Sequence, residues 1–166
     1  MALAAARSAR RLTAAVAALV VATPAAAAIH QGAAVRSLAA GEDAGRTALA
    51  ASRRVITDMF SLDHRTADRD IARALAGLTG KARQEFTAAT PALKDQLVKH
   101  RTTSTITILA AGLTTLKKDA ARTLVTADGN VRTPAVPNGA PKYYRWSLDL
   151  TRTEDRWLVS DLTLVP

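Results

Sequence analysis

Residues 144–165 read YRWSLDLTRTEDRWLVSDLTLV, and the class of the fold turns on this stretch. Tyr144, Trp146, Leu148 and Leu150 alternate with Arg145, Ser147, Asp149 and Thr151, the period-two pattern of a strand with one dry face and one wet face. Thr153 to Asp155 is short and polar, as a tight turn requires. The following RWLVSDLTLV carries apolar residues on both parities, Trp157 and Val159 against Leu158, Leu162 and Leu164. That pattern predicts a last strand covered on both sides.

Toward the N-terminus, residues 128–141 (DGNVRTPAVPNGAP) hold prolines 134, 137 and 141 and glycines 129 and 139, and read as a long turn-rich connection. Ala121 to Ala127 reads as another strand, preceded by a polar turn at Lys117, Lys118 and Asp119. Residues 103–113 (TSTITILAAGL) are rich in β-branched side chains and predict a further strand, with Gly112 marking a bulge or bend.

Before His100 the period is helical. From Arg46 on, Leu49, Ile56, Met59 and Phe60 fall near one face, while Arg53, Arg54 and Asp58 lie elsewhere. In SLDHRTADRDIARALAGLTG (61–80) Thr66 is a plausible N-cap, with Asp68 and Asp70 in the first turn where the helix dipole favours carboxylates. Ile71, Leu75 and Leu78 supply the buried stripe, and Gly77 or Gly80 ends the helix. A third helix from Lys81 to about Lys99 aligns Ala82, Phe86, Ala89, Leu93 and Leu97, with Pro91 expected to kink or split it. Helices followed by strands joined through turns make an α+β domain of about three helices on a four-stranded antiparallel sheet.

The chain begins differently. Leu12 to Ile29 is an uncharged run behind Arg7, Arg10 and Arg11. Its strong members, Leu12, Val16, Leu19, Val20, Val21 and Ile29, together favour insertion by about −2 to −3 kcal/mol, which Thr13, Thr23 and Pro24 erode. Two readings stay open: a short retained membrane anchor, or a cleaved signal with a basic start, an apolar core and small residues after Pro24. Both leave positive charge inside and send the C-terminal part out. The expected layout is a basic cytoplasmic tail (1–11), the anchor or signal (12–29), a helical linker (30–45) and an extracytoplasmic α+β domain (46–166).

With no cysteine, neither disulfides nor thiolate metal sites are available. The net charge of +9 is scattered without aromatic platforms among it. That argues against nucleic-acid binding and for a solvated basic surface or attraction to anionic lipid beside the anchor. His64 and Asp68 stand at i, i+4, a spacing that serves two metal ligands on one helix face. No third ligand accompanies them, and capping explains Asp68 as well. Asp63 and His64 beside Asp68 and Asp70 could be drawn as an acid/base cluster, but a helix start yields the same residues. No nucleophile elbow and no glycine-rich phosphate loop is present. Phe60, Phe86, Tyr144, Trp146 and Trp157 are the aromatic candidates for the core or for the lining of an apolar cavity.

The order of these features resembles the Mce-associated membrane proteins of actinobacteria. It is carried by Leu62-Asp63-His64-Arg65-Thr66 with Asp68 and Asp70, Gly80 with Phe86, and the terminal Trp157-Leu158-Val159-Ser160-Asp161-Leu162. The resemblance spans roughly Leu12 to Pro166. It implies a single-pass anchor bearing a cone-like α+β domain with a curved sheet, of the SnoaL-like and nuclear-transport-factor-like kind. The implied role is a non-enzymatic accessory or scaffold of an Mce-type lipid-import system, with Mce and permease subunits as partners and no cofactor. The alternatives are an exported SnoaL-like isomerase or dehydratase, for which Asp161 and Tyr144 are the candidate acid/base groups, and a carrier of an apolar lipid ligand. The apolar segment is shorter and more proline-interrupted than the family's usual anchor.

Overall fold

The computed structural model describes residues 40–166; the basic tail, the anchor or signal segment and most of the expected linker lie outside them. Residues 44–166 form one compact unit. Among the described residues no helix is long and apolar enough to cross a membrane.

Helix α1 covers residues 40–60, α2 is Ala67–Leu75 and α3 is Gly80–Lys99. Strands β1 (Thr103–Leu116), β2 (Ala120–Thr133), β3 (Val136–Thr153) and β4 (Arg156–Leu164) follow in an antiparallel meander ordered β1-β2-β3-β4. The buried strand residues share one parity: Ala121, Thr123, Val125 and Ala127 on β2, and Trp146, Leu148 and Leu150 on β3. The helices therefore cover one face and solvent bathes the other. Val55 and Ile56 of α1, Leu78 and Ala82 join these residues in the main core. Ala48 and Ser52 let α1 lie close on the sheet, where the buried Ser52 hydroxyl meets the Thr123 hydroxyl at 2.8 Å and donates to the Ala48 carbonyl.

Four local expectations are revised. Residues 128–141 are mostly strand: β2 and β3 extend to a two-residue turn at 134–135. The prolines are tolerated because β4 pairs only from Trp146 onward and its end reaches no further than the Arg145 carbonyl, so residues 136–144 of β3 are bonded on one side alone. Gly112 is not a bulge but pairs with Leu124, and the register slips on either side of it, between Ile108 and Ala110 and between Leu113 and Thr115. β4 is an edge strand of the sheet, and its apolar residues do not divide between two faces as the parity count suggests. A slip opposite Asp149 and Leu150 inserts Ser160, so Leu162 and Leu164 pair with Leu148 and Trp146 and join Val159 on the helix side. Pro91 does not split α3, which runs unbroken from Gly80 to Lys99. Thr87, whose carbonyl loses its donor, is exposed to water.

The turn between β3 and β4 places Glu154 and Asp155 at positive φ, 48° and 61°, as a two-residue hairpin of matching twist requires. The outer rim of β4 is clamped by the α2–α3 connection: Thr79 donates to the Val159 carbonyl (2.8 Å) and Val159 donates to the Gly77 carbonyl (3.0 Å).

Candidate functional site

Between the middle of α3, the end of α1 and the β1–β2–β3 side of the sheet lies a cavity of about 390 Å³. Its wall is mainly hydrocarbon and aromatic (Met59, Phe60, Leu62, Phe86, Leu93, Leu97, Ile106, Val131 and Tyr144), with Thr102, Ser104 and Thr105 adding hydroxyls. The space exists because α3 is pinned at its ends. Ala82 near the start and Leu97 near the end are buried, Phe86 and Leu93 between them are half-buried, and Ala89 is exposed. At its C-terminal end Leu97 packs with Leu62, Ala67 and Leu93 in a small second core.

One end of the cavity is closed by the α1–α2 loop, which is strapped to β1. Ser104 donates through its amide to the Leu62 carbonyl and through its hydroxyl to the Phe60 carbonyl, while Leu62 donates back to that hydroxyl at 3.1 Å. The Ser104 hydroxyl is thus already used as donor and as acceptor. The aromatic wall is a stack: Tyr144 and Trp146 lie 4.8 Å apart and nearly parallel, with Phe60 tilted against both. Gly129 makes room for it, since a Cβ there would stand 2.9 Å from Tyr144 Cε2.

Of the five aromatic candidates, Phe60, Phe86 and Tyr144 line this cavity. Trp146, 3 % exposed, supports the stack from behind. Trp157 belongs elsewhere, to a cleft of about 280 Å³ beside Val55, Arg73, Gly77 and Arg156. The aliphatic part of the lining was not singled out from sequence, because an amphipathic stripe looks the same whether it faces side chains or space.

The polar cluster at the start of α2 is structural. Thr66 occupies the cap position, its carbonyl accepting the Asp70 amide but its hydroxyl accepting no helix amide; that hydroxyl donates to Asp70 Oδ2 at 2.7 Å, and the carboxylate also accepts from the Asp63 amide. Asp70 is 4 % exposed and meets Arg73, which also binds Asp58 of α1 at 2.8 Å. Burial alone would raise the Asp70 pKa, but the Thr66 and Asp63 hydrogen bonds and the Arg73 charge outweigh it and leave the carboxyl below its ordinary range. Asp63 is held well below the carboxylate range by its hydrogen bonds from the Arg65 side chain and amide. A depressed carboxylate clamped by arginine is a poor proton donor at neutral pH. Asp68 pairs with Lys94 at 2.6 Å, and His64 sits in the turn before α2 rather than on a helix face with it. Among the described residues no group of three His, Asp or Glu is placed to hold a metal ion.

The candidate acid/base pair is not brought together. Asp161 is opposite Asp149, on the solvent side of β3 and β4, and binds Lys81 at 3.2 Å. Tyr144 is on the helix side, five positions along β3 from Asp149, roughly 17 Å at strand spacing.

A family model described as "Uncharacterized protein Rv1363c/MT1408-like" matches residues 10–166. No curated protein matches. Among solved structures, the fold is similar to the periplasmic domain of DotI (TM-score 0.59, 10% identity, covering 71% of this chain and 92% of that one). It is similar to an IcmL-like type IV secretion system protein from Legionella pneumophila (TM-score 0.60, 11% identity, 71% and 89%). The soluble domain of TrwG type IV secretion machinery from Bartonella grahamii is also similar (TM-score 0.55, 11% identity, 69% and 88%). At these identities the likeness is one of fold.

Proposed function

The chain belongs to the Rv1363c/MT1408-like family, and we propose that it is a non-enzymatic accessory domain of the cell envelope, serving an Mce-type lipid-import system as a scaffold. The observation that carries this reading is a cavity of about 390 Å³ whose lining residues include no acid/base pair, inside a fold similar to periplasmic domains of secretion machinery. Leu12–Ile29 would tether the domain outside the membrane with the arginine-bearing tail in the cytoplasm, or direct its export if cleaved.

The resemblance of the Leu62–Asp70 and Trp157–Leu162 segments implies Mce and permease subunits as the partners. Affinity capture of the full chain from detergent-solubilised membranes is expected to retrieve them. Repeated capture that returns neither would overturn the assignment. Intact-mass measurement of the recovered protein distinguishes the anchored form from the cleaved one.

A second reading, a carrier of an apolar ligand, is favoured by the cavity itself, whose size falls within the usual range of small-molecule sites. An isomerase or dehydratase is disfavoured by the separation of Asp161 from Tyr144.

A further inference from the structure

The cavity's contents are constrained by what its wall can and cannot bond. Its wall is predominantly hydrocarbon and aromatic; of its hydroxyls that of Ser104 is already engaged, and those of Thr102, Thr105 and Tyr144 are few against the apolar lining. A ligand whose buried part carried several amides or hydroxyls would leave most of them without partners. The wall therefore favours a ligand whose buried part is mainly apolar.

Charge enters at one place. Lys142 is the next residue of β3 on the helix side after Tyr144, and it is the cross-strand partner of Gly129, which lines the cavity. A Cβ at Gly129 would stand 3.7 Å from Lys142 Cβ, so the root of the lysine adjoins the cavity wall. Lys142 is exposed, and no carboxylate among the described residues forms an ion pair with it. The neighbouring charges on the strand pair, Asp128 and Arg145, have the opposite parity and face away from the helices. Lysine suits this position, because its stem can lie on apolar surface while the ammonium stays in water.

We propose that the cavity binds a single-chain amphipath with an anionic head, the chain lying among Phe60, Phe86, Leu93 and Tyr144 and the head paired with Lys142. This deepens the carrier reading and rests on it, but not on the Mce-type partners.

The test uses the full chain in phosphatidylcholine nanodiscs, photolabelled with a diazirine analogue of palmitic acid and, separately, of the matching alcohol. Adducts are mapped by peptide mass spectrometry. The acid is expected to mark the peptides carrying Phe86 and Leu93 well above the alcohol. Lys142→Glu is expected to cut acid labelling roughly ten-fold, to leave alcohol labelling unchanged and, being exposed, to spare the fold; Lys142→Arg is expected to restore the acid preference. Leu93→Trp, which fills the cavity, is expected to block both probes. Equal labelling by acid and alcohol in the unaltered chain would overturn the anionic head and leave the carrier reading standing. Absence of label from these peptides with both probes would overturn the carrier reading as well.

Discussion

Around Ile56 and Leu148 the helix layer and the sheet interlock without a gap, and both residues are 0 % exposed. Around Phe86 and Leu93 the same sheet faces a helix across about 390 Å³ of space. Small residues make the first arrangement: Ala48 and Ser52 bring α1 down onto Thr123 and Val125. Fixed ends make the second, because α3 is anchored near Ala82 and Leu97 and its middle bridges the interval. One sheet can thus supply both the stability of the domain and an opening within it, provided the two tasks fall on different stretches of the helix layer.

If that division is right, truncation should hurt one side far more than the other. Leu148→Ala is expected to lose about 2–5 kcal/mol in denaturant unfolding. Leu93→Ala, beside existing space, should lose about 1 kcal/mol or less. Equal losses would erase the distinction. Steric tolerance sharpens it further. A Cβ at Gly77 would meet Val55 Cγ2 at 2.5 Å, and Val55 is buried and stiff at χ1. Gly77→Ala should therefore cost about 1–3 kcal/mol, whereas Gly112→Ala, with nothing within 4 Å, should stay within about 0.5 kcal/mol.

Next in size is the polar seam that ties α2 to α1 on the closed side. Asp70→Asn should cost about 1–2 kcal/mol near neutral pH, read from the shift in urea midpoint. The Asp70 pKa is lowered on folding, so its contribution is complete above the unfolded value of about 4 and is lost as pH falls through the folded value. The gap between the parent and Asp70→Asn should accordingly shrink in acid; a gap that widened would contradict the assignment. The smallest effect is expected on the solvent face, where Arg122 and Asp149 pair in the open. Arg122→Gln should leave the thermal midpoint unchanged within error.

The order of elements and the hairpin at residues 144–165 were legible because Tyr144, Trp146, Leu148 and Leu150 obey a simple alternation that the sheet also obeys. The far half of that hairpin was misleading. An inserted Ser160 moves Leu162 and Leu164 onto the face of Val159, and an inserted residue is invisible to a parity count. Residues 128–141 misled for another reason: proline argues against a strand bonded on both sides, but Pro134 lies in the turn and Pro137 and Pro141 lie on the part of β3 that is bonded to β2 alone. Phe60, Phe86 and Tyr144 could be singled out for their size, but whether they meet side chains or space depends on where α3 is pinned. The Asp58–Arg73–Asp70 seam joins residues 15 apart on two helices, and no local pattern announces such a link.

The clamp on β4 bears on how copies of this domain could join. Both main-chain groups of Val159 on the outer rim are already engaged by Gly77 and Thr79, so a visiting strand would find its ladder interrupted at the centre. Among the described residues the rim of β1 past Ser104 carries no such guard. A second copy adding by main-chain pairing would therefore be directed to the β1 side, where two molecules would cover each other's rim and a third would find only the interrupted one.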